Sequence, residues 1–407
     1  MKKIILSIII IFYCLTLSAF FQFIYDNPAH LADKTNNELY LPLSSIEINA
    51  NNSLLNFDNL SIFQTNRIMS DSEKKILTED DLYLDFYFRD DIINISYQNI
   101  GFAWSLIGFG KGNILDKTYS KLIFYGNEDY EYEANNFEKA KTCYFSKFTF
   151  TYAYPKKLTM NFLSGITLSN KHMKNILTYL ETMPIYAGIN MNLYYPYFYG
   201  YVPESSQTFG TTYDGTYGTY DIRLQYSDED SDAKLNWGLG MGMKFKLPDG
   251  WINFAIDDLF TRLEFSNIIE ERYIGTYEDS LTHFEDGYEP INETSDEKLR
   301  VGDKGISLKP NLKFGLEHRI YKQYNLMLRY QKSSFDYKDG FSVGVGNEFL
   351  NIIPAQLVLG FDENVYYELR SGIEVQNFEY LISTTFYHGF FKYARGIGIQ
   401  TGMKYKF

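Results

Sequence analysis

The sequence predicts an all-β protein, a transmembrane antiparallel β-barrel of about 14 strands (roughly 12 to 16) with an amino-terminal plug-like segment. Three observations predict it. The chain ends in a strand on which Ile397, Ile399, Thr401, Met403, Tyr405 and Phe407 alternate with Gly398, Gln400, Gly402, Lys404 and Lys406. One face suits lipid and the other water. Leu235 to Leu247 repeats this pattern, with Leu235, Trp237, Leu239, Met241, Met243, Phe245 and Leu247 on one face. The other carries Asn236, Gly238, Gly240, Gly242, Lys244 and Lys246. Finally, aromatic residues reach 18%, with Tyr 37 and Phe 33 against Trp 3, while mean hydropathy is only -0.28. Helical membrane spans need about 20 continuous apolar residues each. One such run exists, and it opens the chain.

That run, Met1 to Ala19, has Lys2 and Lys3, the apolar stretch Ile4 to Leu17, and small residues Ser18 and Ala19. These are the parts of a cleaved signal peptide, with an uncleaved anchor as the other reading. Ile11-Phe12-Tyr13 before Cys14 lacks the small residue that a lipidated cysteine needs. Cleavage leaves Cys143 as the sole thiol, so no intrachain disulfide holds the mature chain. A closed hydrogen-bond ladder is the alternative. Loss of Lys2 and Lys3 takes the formal charge from -13 to about -15, which excludes a nucleic-acid partner.

Residues 20–58 depart from the strand pattern and contain Asn27-Pro28-Ala29, Leu41-Pro42-Leu43 and Asn52-Ser53. Asn-Pro by itself is an ordinary turn starter. In this position Asn27-Pro28-Ala29 resembles the opening of the fatty-acid-transporter superfamily of outer-membrane barrels, which includes the FadL-like and PorV-like proteins. The later tripeptides, with Tyr125-Gly126-Asn127, are similar to an uncharacterised family within it, a domain of unknown function. Leu369-Arg370-Ser371-Gly372-Ile373-Glu374 resembles that superfamily's late strands. The resemblance implies that residues 20–58 form an inward-folded plug or hatch, with a possible first strand, and that residues 59–407 form the barrel. FadL-like kinship implies passage of a small hydrophobic ligand. PorV-like kinship implies a surface or secretion-associated barrel that attaches an exported protein partner.

Along the barrel, Ile92 to Asn99, Phe102 to Phe109 and Lys121 to Gly126 read as strands, and Tyr144 to Tyr154 with Leu158 to Leu168 as a hairpin broken by Pro155. Lys171 to Glu181 has Met173, Ile176, Leu177 and Leu180 at helical spacing, and a short helix competes with coil there. Met183 to Tyr195 resumes the strand pattern. The tract Tyr194 to Tyr220 reads as an interfacial aromatic belt followed by a polar loop, in preference to a sugar- or partner-stacking surface. Pro248-Asp249-Gly250 turns the chain and Trp251 to Phe265 returns. Residues 267–303 are rich in acids and read as the longest loop, outside the membrane if Phe407 faces the periplasm. Asp228, Asp230 and Asp232 lack the glycine and distal glutamate of a calcium loop. A regular meander then runs to Phe407.

In the final third the two-face register puts Leu312, Leu328, Leu369, Ile373, Met403 and Tyr405 toward lipid. It puts Lys313, Glu317, Arg319, Arg329, Glu368, Arg370, Glu374, Lys404 and Lys406 toward the lumen, because Lys or Arg at the midplane costs about 2 to 4 kcal/mol on the lipid face. These charges read as a ladder of cross-strand pairs before they read as an ion pathway. Tyr405 and Phe407 supply the interfacial aromatics of barrel closure. The histidines His30, His172, His283, His318 and His388 are scattered, and no nucleophile elbow or phosphate loop is present. No enzyme, cofactor or metal is expected. The partners expected are outer-membrane lipid and either a small hydrophobic ligand or an exported protein.

Overall fold

A computed structural model describes residues 27–407 apart from 34–37, 41–44, 60–61, 63–68, 126–130, 138–139, 157, 159–182, 204, 213–214, 229–233, 281–290, 322–323, 335–337, 350–352 and 362–364. After a 3-10 turn at Pro28–Asp33 come β1 (Glu38–Tyr40), β2 (Ile46–Asn52), α1 (Asp71–Leu77), β3 (Leu82–Tyr97), β4 (Ile100–Leu115), α2 (Lys117–Tyr125), β5 (Glu131–Phe137) and β6 (Lys141–Ala153). Next are β7 (Ile185–Tyr201), β8 (Ser205–Thr212), β9 (Gly215–Ser227), β10 (Asn236–Leu247), β11 (Gly250–Leu259), β12 (Arg262–Ser280) and β13 (Ile291–Ser307). The chain finishes with β14 (Asn311–Tyr321), β15 (Tyr324–Lys332), β16 (Gly340–Phe349), β17 (Ile353–Phe361), β18 (Tyr366–Val375), β19 (Phe378–Tyr387) and β20 (Gly396–Lys406).

The ladder closes on itself. β1 and β2 share one position, each pairing with β20 on one side and β3 on the other. From β3 the wall runs through β4, β6, β7, β10, β11 and β14, then in sequence order to β20, giving a closed antiparallel barrel of 14 strands. Closure leaves no wall strand with an unpaired edge, which lipid could not satisfy.

Alternation along the strands defines two faces. On β10, Trp237, Leu239, Met241 and Met243 are exposed while Lys244 is buried. On β16, Val343 and Val345 point out and Ser342 is buried. Exposed aromatics cluster at the strand ends: Tyr97, Tyr152, Tyr324, Phe378 and Phe407 at one end, Tyr195, Tyr197, Phe341 and Phe361 at the other. This is an apolar band with aromatic girdles. Among the described residues no helix is long and apolar enough to cross a membrane.

Four tight turns share one end. The turns Tyr97/Ile100, Leu247/Gly250, Tyr321/Tyr324 and Val375/Phe378 lie at the end that holds Glu38 and Lys406. The opposite end carries the excursions. There β5, β8, β9, β12 and β13 form a five-stranded sheet that stands beyond the barrel and touches its wall where Gly200 and Tyr201 of β7 pair with β9.

Four sequence expectations change. Residues 267–303 are chiefly β12 and β13, because their charges pair across strands: Lys298 Nζ lies 3.1 Å from Glu271 Oε1 and Arg272 Nη2 2.7 Å from Asp221 Oδ2. The polar tract to Tyr220 supplies β8 and most of the start of β9. Lys117–Tyr125 is helical where a strand was expected over Lys121 to Gly126; its residues include helix-compatible Lys and Leu, and among the described residues no strand pairs with it. Residues 20–58 split, since β1 and β2 belong to the wall. Residues 1–19 and the expected helix at 171–181 lie outside the described residues.

Candidate functional site

The lumen holds three layers on the β4–β6–β7–β11 side. Nearest the short turns, Asn27 donates through Nδ2 to the carbonyls of Met243 (3.0 Å) and Phe254 (3.2 Å), and its Oδ1 accepts from Ala29 N (2.9 Å). The turn Pro28–Asp33 packs on β6, β7 and β10, and Asn27, Ala29, His30 and Leu31 are buried. Thus Asn27, Pro28 and Ala29 sit against the inner wall, seated over Gly188 and Gly242.

The middle layer is ionic. Lys147, 5% exposed, places Nζ 2.7 Å from Asp257 Oδ2 and 2.6 Å from Asp258 Oδ1. Consecutive strand residues ordinarily point to opposite faces. Here Asp258 adopts φ 58, a left-handed conformation that Asp tolerates better than most, and the β10 register shifts between Leu239 and Met241. That bulge turns both carboxylates to one lysine. Asn192 Nδ2 donates to Asp257 Oδ1 (2.7 Å), and the Tyr194 hydroxyl donates to Asp258 Oδ1. Alongside, Arg89 Nε and Ser105 Oγ donate to Asp91 Oδ1 at 2.9 and 2.6 Å.

Toward the long excursions the lining turns apolar. Ile107, Cys143, Phe145 and Tyr199 face inward and pack with Leu263, Phe265, Ile268 and Ile306 from the base of the β12–β13 hairpin. Phe265 and Tyr199 have ring centroids 5.2 Å apart. The hairpin base therefore closes over a packed apolar cluster directly above the charged layer.

The other side of the ring carries the charges expected from the sequence. Glu368, 1% exposed, accepts from Arg370 Nη2 (2.8 Å) and Ser383 Oγ (2.7 Å). At the short-turn end Lys404 Nζ lies 3.1 Å from Glu38 Oε1 and 2.8 Å from Glu379 Oε2, and Lys406 pairs with Glu379. Arg329, Lys313 and Glu317 are half-buried on the inward parity of β15 and β14, whereas Arg319 is exposed at the short-turn rim. Glu374 takes the parity of Glu368 and Arg370 on β18, and its side chain lies outside the described residues. Tyr405 stacks near Phe378 (4.9 Å) and Phe407, which is exposed.

Sequence reasoning missed Lys147, Asp257 and Asp258. The signal was there: Lys147 is the sole charge between Tyr144 and Tyr154, and Asp257-Asp258 interrupts an apolar strand. Outside the membrane, the hydrogen bonds from Arg272 and then Arg223 hold the Asp221 carboxyl down at about 2, against an ordinary 3.8. Among the described residues no group of three or more His, Cys, Asp or Glu could hold a metal.

No protein-family model and no curated protein matches this chain. Solved structures similar in fold include the toluene transporter TbuX of Ralstonia pickettii, 9% identical, with a TM-score of 0.46 over 94% of this chain and 93% of that one. The P. putida toluene transporter TodX is 8% identical, with a TM-score of 0.44 over 94% of this chain and 92% of that one. A Pseudomonas aeruginosa FadL homologue is also 8% identical, with a TM-score of 0.39 over 94% and 93%. At these identities and TM-scores the likeness carries no conclusion about family, location or cargo.

Proposed function

We propose that this protein passes a small hydrophobic compound across the outer membrane, after export by a cleaved amino-terminal signal. The observation that supports the reading is the apolar cluster of Ile107, Cys143, Phe145 and Tyr199, which lies inside the barrel beneath the β12–β13 hairpin base, at the end carrying the long excursions, and would line the entrance once that base lifts. An apolar solute leaving water gains roughly 25 cal/mol per Å² of surface buried in such a lining. The polar layer beneath favours onward release, since apolar contacts end there. No catalytic step is assigned.

Uptake of toluene into liposomes containing the purified protein tests this reading. Entry faster than into protein-free liposomes, and slowed by Phe145→Asp, is expected. Entry equal to that of empty liposomes would sink it.

The second reading is a surface or secretion-associated barrel that attaches an exported partner without transport. The protruding sheet of β5, β8, β9, β12 and β13 favours it, because a passage alone does not need five strands beyond the wall. Co-purification of an exported protein that is lost when residues 268–302 are deleted would select it.

A further inference from the structure

The described end of the connection between β15 and β16, Lys338 and Asp339, turns inward from the rim. Its Lys338 directs Nζ to Glu47 Oε1 of β2 (3.1 Å) and Glu368 Oε1 of β18 (3.4 Å), and all three side chains are nearly buried. In the ring β17 lies between β16 and β18, while β19 and β20 lie between β18 and β2. A lysine rooted beside β16 that reaches β2 is a chord across the lumen. Asp339, also buried, fixes its base: Oδ1 accepts from Ser333 N (2.8 Å) and Ser333 Oγ (3.1 Å) at the other end of the connection.

We propose that Lys338 is the bolt of a lumenal latch that sets how wide the pathway stands. A switch needs two arrangements, each with its polar groups satisfied. With the bolt in place, one ammonium bridges two carboxylates on wall strands that are not neighbours. With it withdrawn, Glu368 keeps Arg370 and Ser383, so the wall retains its hydrogen bonds. Glu47 Oε1 also accepts from Asn49 Nδ2 (3.2 Å), and Asn49 Oδ1 in turn accepts from the Tyr387 hydroxyl (2.7 Å). The acceptors are therefore built to survive release. The lysine, on a connection at the watery end of the barrel, would hydrate. Buried pairs are only weakly screened by salt, so the bolt holds at ordinary ionic strength.

The inference rests on the passage reading in that a latch presupposes a pathway, but its test needs no hydrophobic cargo. Single-protein ion conductance in planar bilayers is measured for the full chain and for Lys338→Gln, Glu47→Gln and Lys338→Arg, with heat-modifiable gel mobility reporting assembly. Both Gln variants should conduct several-fold more than the parent, and Lys338→Arg, which keeps the charge, should stay near it. This result stands even if toluene uptake fails, which would overturn the cargo and leave the latch. Parent-level conductance in both Gln variants overturns the latch. So does a Lys338→Gln chain that cannot assemble while Glu47→Gln conducts like the parent.

Discussion

Asn27 and Gly242 meet inside the barrel where the wall leaves no room for a β-carbon: one added to Gly242 would collide with Asn27 Oδ1. Pro28 is seated the same way, its carbonyl carbon 2.6 Å from where a Gly188 β-carbon would lie. Wall glycines thus allow the backbone of the amino-terminal segment to approach. Gly242→Ala should unseat the segment, costing about 1 to 3 kcal/mol as an overpacked site. Gly346→Ala, whose β-carbon would find its nearest atom at an ordinary 3.4 Å, should not. Protease cleavage near residue 27 in the folded barrel measures the difference. Equal cleavage of both variants would argue that these glycines do not seat the segment.

Removing the lysine of the ionic layer should be costly in a particular way. Lys147→Met leaves Asp257 and Asp258 buried without their cation, and truncating one partner of a buried pair costs about 3 to 5 kcal/mol. The triple variant Lys147→Met, Asp257→Asn, Asp258→Asn should recover most of that loss, because no uncompensated charge remains. Urea unfolding followed through Trp104, Trp237 and Trp251 reports both. If the triple variant is as unstable as the single one, packing and not charge explains the layer.

What could be read in the sequence follows from what the membrane imposes. Lipid forbids unpaired backbone and charged exteriors, so a two-residue alternation marks each wall strand, and the regular meander read over the final third is the run from β14 to β20. The excursions escape that rule. Beyond the buried base of their hairpin, β12 is only half-buried and β13 is exposed, so Glu271, Arg272 and Lys298 could be read only as loop charges until their cross-strand partners were known. Lys338 is a lone lysine in a turn by sequence, and only three-dimensional closure brings β2 to it. Asp258 was illegible for another reason: alternation assigns it outward, and a single left-handed residue reverses it.

The protruding sheet should loosen in acid. Asp221, held by Arg272 and Arg223, has its folded value depressed from an ordinary 3.8 to about 2. A depressed carboxylate contributes stability above its unfolded value and loses it as pH falls through the folded one. The contribution should thus be complete above about pH 4 and gone near pH 2, with the barrel wall unaffected. Pepsin cleavage within β9 and β12, measured across that window, should rise as pH falls and should already be high in Asp221→Asn at its upper edge. A flat profile in the parent would show that this pair does not hold the sheet.

The face assignment of the late wall strands can be checked on two adjacent residues of β19. Ile382 is 41% exposed on the outer face, and Ser383 is 1% exposed with Oγ donating to Glu368 inside. Both accept cysteine with little disturbance, since Ser383→Cys is nearly isosteric and Ile382→Cys removes atoms only from the lipid side. The native thiol gives no background, because Cys143 is 1% exposed within the apolar cluster. In proteoliposomes a bulky lipid-soluble maleimide should therefore label Ile382→Cys and spare Ser383→Cys. A strand slipped by one residue would invert the result, because the side-chain period is two. If β18 slipped with it and kept the present pairing, Glu368 and Arg370 would turn into lipid, at about 2 to 4 kcal/mol for the arginine alone near the midplane. Preferential labelling of Ser383→Cys would overturn the inward placement of Glu368, Arg370 and, with them, the latch.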